Sequence, residues 1–346
     1  AAVDAAAGEA RRRGGGRAAG FVNAVLRRIA AAGGLDAWPV EAADPVLRLA
    51  IEQSHPPELV TRWIDRFGFA AASRMLAAGN GPRAPHALAF ADRGGREALR
   101  TALADEGIAS TPGVLAPGAL VLRSPEALAS RAFARGDFYV QDEASQAAAL
   151  VPPPRPGERV LDAAAAPGGK GLAILAAEPA ASVLLADLAP RRLARLRANL
   201  VRLDRALPIV AADAAHPPWR PASFDRVVLD APCSGTGTLR RHPELRWRFR
   251  AGELARLADA ALAMLFALAP AVRPGGLLVH VTCSVEAEEN EEVARRFLAA
   301  REGYVADPLA GDDPVVTAGR QAAGRWRVLP GDGHDGFSVA VWRRRK

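Results

Sequence analysis

The stretch Glu158–Lys170, ERVLDAAAAPGGK, decides how this chain is read. Its first five residues form a short apolar run closed by an acid, the pattern of a buried strand. The rest is a turn of small residues, which lets backbone approach a ligand closely. The same apolar run with a polar end recurs at Ser182–Asp187, Pro208–Asp213, Phe224–Asp230 and Gly276–Thr282. Helical stretches alternate with these runs, and Leu193, Leu196, Leu200 and Leu203 share one helical face. Two later runs, Arg325–Leu329 and Gly336–Trp342, fit an antiparallel edge pair. The rhythm predicts an α/β fold with a mostly parallel, seven-stranded sheet covered on both faces.

In such sheets ligands sit beyond the carboxyl ends of the strands. Four of the five parallel runs end in Asp, and the fifth abuts Cys283. A single Asp there is as well explained as a cap; four at one edge point to a site. The loop after Asp162 is not a P-loop, because Ala164 and Gly171 stand where Gly and Ser or Thr are needed, nor is it GxGxxG. Asp187 follows Asp162 by 25 residues, the spacing of an acid that accepts hydrogen bonds from a ribose diol. A nucleoside cofactor without a phosphate cradle fits, S-adenosylmethionine above all. The chain's two cysteines, Cys233 in DAPCSGTG and Cys283 in VTCS, both lie just past strand ends. Buried cysteines are usually small hydrophobes, but both at one ligand edge read as chemistry.

Composition narrows the setting. With 346 residues, two or three units are expected. The net charge of +7 is spread along the chain and fits a nucleic-acid partner without requiring one. Two cysteines exclude a disulfide framework and a Cys-rich zinc site, and no metal is expected. There is no signal-peptide layout. The longest apolar stretch, Ala260–Val272, contains Pro270 and is too short to span a bilayer. A cytoplasmic, non-membrane setting is therefore expected. The chain holds 43 Arg but only two Lys, Lys170 and Lys346. An internal Lys in such a chain is a candidate for a compact cation beside a thiolate. Upstream, helical spacing is read over 19–31, from Pro45 and over 58–78, with a Gly33–Gly34 break. His86–Phe90 and Ala119–Arg123 read as strands around a helix at Arg96–Glu106, and PPPRPG (152–157) as a rigid break.

Six segments together resemble the NOL1/NOP2/Sun family of RNA cytosine-C5 methyltransferases, within it most of all the bacterial small-subunit ribosomal RNA branch. They are FYVQDEASQ (138–146), DAAAAPGGK (162–170), the strand end at Asp187, DAPCSGTGTLRRHPELRWR (230–248), TCSVEAEENE (282–291) and LPGDGHDGF (329–337). GFVNAVLRR (20–28) and SHPPELVTRW (54–63) are similar to the end of that branch's NusB-like helical domain and its linker. The resemblance implies a Rossmann-like, S-adenosylmethionine-dependent methyltransferase domain over 136–346. Before it come a small α/β, RRM-like region at 84–135, a helical linker at 43–83, and at 1–42 the remnant of a NusB-like domain whose earlier helices are expected to be missing.

The implied activity is methylation of C5 of a cytosine in RNA, 16S rRNA foremost, with tRNA or another rRNA cytosine as the alternative. C5 is a poor nucleophile until a thiolate adds to C6. By resemblance, Cys283 is that nucleophile, Cys233 assists release of the methylated RNA, and Asp230 holds the cytosine edge. The loop Ala164, Ala165, Ala166, Pro167, Gly168, Gly169 and Lys170, with Asp187, Arg192, Asp213 and Asp230, would bind S-adenosylmethionine. Ala164 and Gly171 depart from the Cys and Thr common in the family, in a loop expected to act largely through its backbone. Arg240, Arg241, Arg246, Trp247 and Arg248 are candidates to hold RNA phosphates and stack on a base. A DNA cytosine-C5 methyltransferase would instead attack with the Pro-Cys cysteine, and a non-catalytic RNA-binding assembly factor would need neither. A monomer is expected.

Overall fold

Period-two alternation sorts the strand residues onto two faces of one sheet. In the computed structural model, which describes residues 2–33, 40, 42–82, 84–331 and 333–346, Val160, Val228, Val279 and Val341 point to one apolar cluster. Their neighbours Leu161, Val227, Leu229, Leu278 and Trp342 point to the other. The Gly33–Gly34 break lies partly outside the described residues.

The chain divides into two compact units, residues 1–62 and 63–346. The first contains the helix Ala2–Ala31, interrupted at Gly15, and the helix Pro45–Glu52, whose first turn is capped by Asp44. The expected single helix over 58–78 is two, Pro57–Phe67 and Phe69–Asn80, because Gly68 between them adopts φ +79°.

The second unit holds two sheets. The smaller, antiparallel one comprises β1 (His86–Ala89), β2 (Ser110–Pro112), β3 (Ala119–Leu122) and β4 (Phe138–Val140) in the order β2-β3-β1-β4. Its fourth strand thus comes from beyond residue 135: after the short helix Arg131–Ala134 the chain turns at Gly136 and pairs with β1.

The larger sheet contains β5 (Arg159–Asp162), β6 (Ser182–Asp187), β7 (Ile209–Ala211), β8 (Phe224–Asp230), β9 (Val272–Thr282), β10 (Tyr304–Ala306), β11 (Arg325–Val328) and β12 (Phe337–Arg344). Seven of these strands run in the order β10-β12-β9-β8-β5-β6-β7, and β11 also pairs with β12. The five central and far-edge strands from β9 to β7 are parallel, and β12 is antiparallel to β9. β12 is therefore interior rather than an edge, covered along its outer side by β11 and then β10.

Helices cover both faces. The helix Pro190–Arg202 buries Leu193, Leu196 and Leu200 as its spacing predicts, each worth roughly 1.5–3 kcal/mol. On the opposite face lies Ala251–Leu268, with Leu254, Ala258, Leu262 and Leu265 buried. The segment Ala251–Ala271 is long and apolar enough to cross a membrane by length and composition; here its apolar face packs into the second cluster.

Candidate active site

Chain order turns at β5, which has β6 on one side and β8 on the other. At that switch the loops beyond the carboxyl ends splay apart and leave a crevice. A cleft of about 380 Å³ opens there, and its lining includes Ala164, Asp187, Arg192, Asp213, Asp230, Cys233 and Cys283. The structure thus brings together, on one cleft, both cysteines and most of the residues the sequence singles out. Of the loop 164–170 only Ala164 lines the cleft; Ala165, Ala166, Pro167, Gly168, Gly169 and Lys170 build the turn behind it.

That turn is held by Asp187 and Arg192. Asp187 Oδ2 accepts the Ala166 amide N–H at 3.1 Å, and Oδ1 accepts that of Ala189 at 3.0 Å. Arg192 donates to the Ala166 carbonyl at 2.7 Å and lies 3.2 Å from Asp187. Asp213 sits two residues beyond β7, accepting from the Ala215 amide at 2.8 Å and lying 3.1 Å from His216. The His216 hydrogen bond, then that of Ala215, holds its carboxyl below the usual range.

Lys170 is buried at the start of the helix Gly169–Ala177. Its ammonium donates to Asp230 Oδ2 and Ser145 Oγ, at 3.0 Å each, and lies 4.7 Å from the centre of the Phe337 ring. It makes no hydrogen bond to either sulfur. The first turn of this helix faces the end of β8, so the charge expected beside a thiolate is seen to fix a carboxylate. Asp162 is fully buried one strand away; its Oδ2 accepts the Gly171 N–H at 2.9 Å, while its Oδ1 has no partner. Burial, with Asp230 nearby, pushes its carboxyl up to about 7.

The two sulfurs lie 3.4 Å apart, both as free thiols. The hydrogen bond to Cys283, and then desolvation, push the Cys233 thiol well above its ordinary range. Cys233 therefore stays a neutral thiol near pH 7, with an S–H to give to the neighbouring sulfur.

Three of the five residues offered as RNA contacts are elsewhere engaged. Arg240 is buried against Asp335 and the Gly333 carbonyl, Arg241 bonds Asp335 at 2.7 Å and Asp142 at 2.5 Å, and Arg246 bonds Asn80 at 2.8 Å. They brace the loop after Cys233 from inside. Trp247, 57% exposed, and Arg248 remain on the surface. Sequence reasoning did not find Met264 and Leu188 in the cleft wall, or Ser145 as a partner of Lys170. Nor did it assign a role to Glu289, although the polar run after Cys283 is its signal.

Residues 149–343 match the family described as 16S rRNA methyltransferase RsmB/F. The chain belongs to that family. Among RsmB/F relatives, the ribosomal RNA small subunit methyltransferase B of Vibrio cholerae is 40% identical over 250 residues, 71% of this chain and 55% of the relative. That of Pseudomonas syringae pv. tomato is 37% identical over 337 residues, 93% of this chain and 72% of the relative. The chain thus spans little more than half of the first relative and nearly three quarters of the second. The crystal structure of PH0851 superposes with a TM-score of 0.81 at 26% identity, covering 99% of this chain and 76% of that one. The RsmB/F assignment accords with the Rossmann-like sheet and with the position of the cleft at its switch point.

Proposed function

We propose that this protein transfers a methyl group from S-adenosylmethionine to C5 of a cytosine in 16S rRNA, through a covalent bond between Cys283 and C6. The observation that carries this reading is the pair of free thiols 3.4 Å apart, opening on a cleft at the switch point of the sheet. Membership of a family of 16S rRNA methyltransferases supports the substrate.

The cleft suits the cofactor. Its volume lies within the range of small-molecule sites. Small residues at Ala163, Ala164 and Ala212 leave room for a flat ring, and Asp187, Asp213 and Asp230 offer carboxylates to a diol and an amino group. Bound there, S-adenosylmethionine supplies an electrophilic methyl group.

The chain's own residues do the rest. The target cytosine leaves its stack to reach the strand ends, where the exposed face of Trp247 and the Arg248 guanidinium can receive neighbouring nucleotides. Asp230, fixed by Lys170, holds the cytosine edge. The Cys283 thiolate adds to C6, breaking the aromatic system and making C5 the nucleophilic carbon. After methyl transfer, loss of the C5 proton to a base and expulsion of the Cys283 thiolate restore the ring. Cys233, close enough to share a proton with the departing sulfur, assists that release. The work takes place in the cytoplasm.

The test is a pair of variants assayed on 16S rRNA. Cys283→Ala should remove both the covalent protein–RNA adduct and methyl transfer, the latter by roughly 10³ or more. Cys233→Ala should keep forming the adduct and fail to release it. The opposite pattern would transfer the nucleophile's role to Cys233.

A further inference from the structure

Glu289 does not line the cleft and is only 1% exposed. Its Oε1 accepts the backbone N–H of Ser234 at 2.7 Å, and its Oε2 accepts the Ser234 hydroxyl at 2.6 Å. Ser234 directly follows Cys233. Its hydroxyl lies 3.2 Å from that of Ser284, the residue directly after Cys283. The next residue, Asn290, takes hold of the other loop: its Oδ1 accepts the Thr282 hydroxyl at 2.7 Å, and its Nδ2 donates to the Ser284 carbonyl at 3.1 Å. Glu291 in turn accepts from Arg66 and Arg327. Three consecutive residues therefore tie four different parts of the unit to the start of the helix Glu291–Ala300.

Burying a carboxylate is costly unless strong donors meet both oxygens. Burial pushes the Glu289 carboxyl up, and hydrogen bonds from Ser234 and Ser284, the residues beside the two thiols, hold it down; bonds to an ionised group are roughly twice as strong as neutral ones. The loop they restrain includes Gly235, in a left-handed conformation at φ +71°; further along it is held by Gly237 N–H to the Cys283 carbonyl at 2.9 Å, so Glu289 is the grip nearest the Cys233 thiol. We propose that Glu289 is a positioning residue for product release: by gripping Ser234 it keeps the Cys233 thiol within reach of the Cys283 sulfur. The inference rests on the reading of Cys233 as the releasing thiol.

Glu289→Ala, Glu289→Gln, Ser234→Ala and Cys233→Ala are compared with the unaltered chain on 16S rRNA and labelled S-adenosylmethionine. Adduct on denaturing gels, the first turnover and the steady state are measured. Glu289→Ala should accumulate adduct and slow the steady state about tenfold or more, while its first turnover changes less than about threefold. Glu289→Gln should release RNA normally, because its amide can accept from the Ser234 N–H and donate to the Ser234 hydroxyl. Ser234→Ala loses one of the two bonds and should show the same split more mildly; it decides the matter if Glu289→Ala does not fold. The proposal is overturned if Cys233→Ala traps adduct while the Glu289→Ala and Ser234→Ala variants release at the normal rate, or slow both phases alike. A Gln variant that traps adduct as strongly as Ala overturns it too, since positioning would then not be the cause. If Cys233→Ala itself releases normally, the reading of Cys233 falls, and this inference with it.

Discussion

Lys170 bonds two groups from separate segments, Asp230 and Ser145, and faces the ring of Phe337 from a third. Its rarity marks it in the sequence as a residue with a task. The task itself is set by partners that only folding brings near, and the partner the structure shows is a carboxylate, which the sequence does not pair with it. An ammonium is a point charge that can serve both oxygens at 3.0 Å; a guanidinium is a wide planar fork. Lys170→Arg and Lys170→Met should therefore both lower methyl transfer at least about tenfold, a loss of about 1.4 kcal/mol of transition-state stabilisation. An arginine variant as active as the unaltered chain would remove Lys170 from the site. The arginines at 240 and 241 teach the same lesson in reverse. As a charge run they read as surface, and Arg240 is buried and Arg241 half-buried because Asp142 and Asp335 arrive from elsewhere in the chain.

Strands were the most legible elements. Their alternation is written in the residues, so β5, β6, β8 and β9 fall where the apolar runs lie. β2 is three residues, Ser110–Pro112, without a buried side chain, and offers no pattern to read. The interior strands also carry a titration signature. His280 on β9 is fully enclosed, stacks against Trp342 of β12, and has no partner for Nε2. Burial alone lowers its pKa from 6.5 to about 4. The unfolded chain therefore binds a proton between those values that the folded one refuses. Stability contributed by neutral His280 is complete above pH 6.5 and is lost as pH falls toward 4, by about 3 kcal/mol at most. His280→Leu should flatten that acid limb in urea melts recorded from pH 7 to pH 4. An unchanged slope would place the acid sensitivity elsewhere.

At the scale of the second unit, one face of the smaller sheet joins the core of the larger, while its other face packs its own cluster around Leu103, Leu120, Leu122 and Phe138. Leu88, Phe90 and Tyr139 of the smaller sheet and its flanks belong to the same apolar cluster as Val160, Leu172 and Val279. Arg205 pairs with Asp92 at 2.5 Å, Arg93 donates to the Leu203 carbonyl, and Arg202 donates to the Phe133 carbonyl. Composition and motif order give the sequence of regions, but which faces meet depends on side chains far apart in the chain, Arg205 and Asp92 among them. The shared face has a measurable result: the amide of Leu88 on β1 and its partners should exchange with solvent at the same opening free energy as those of β5 and β8. A lower opening energy confined to β1 and β3 would show that the small sheet comes apart first. The burial of Lys170 has a practical side as well. The other lysine of the chain, Lys346, is exposed. An amine-reactive dye therefore finds one accessible side-chain amine, far along the sequence from both cysteines. A fluorophore attached there leaves the cleft and its thiols chemically untouched.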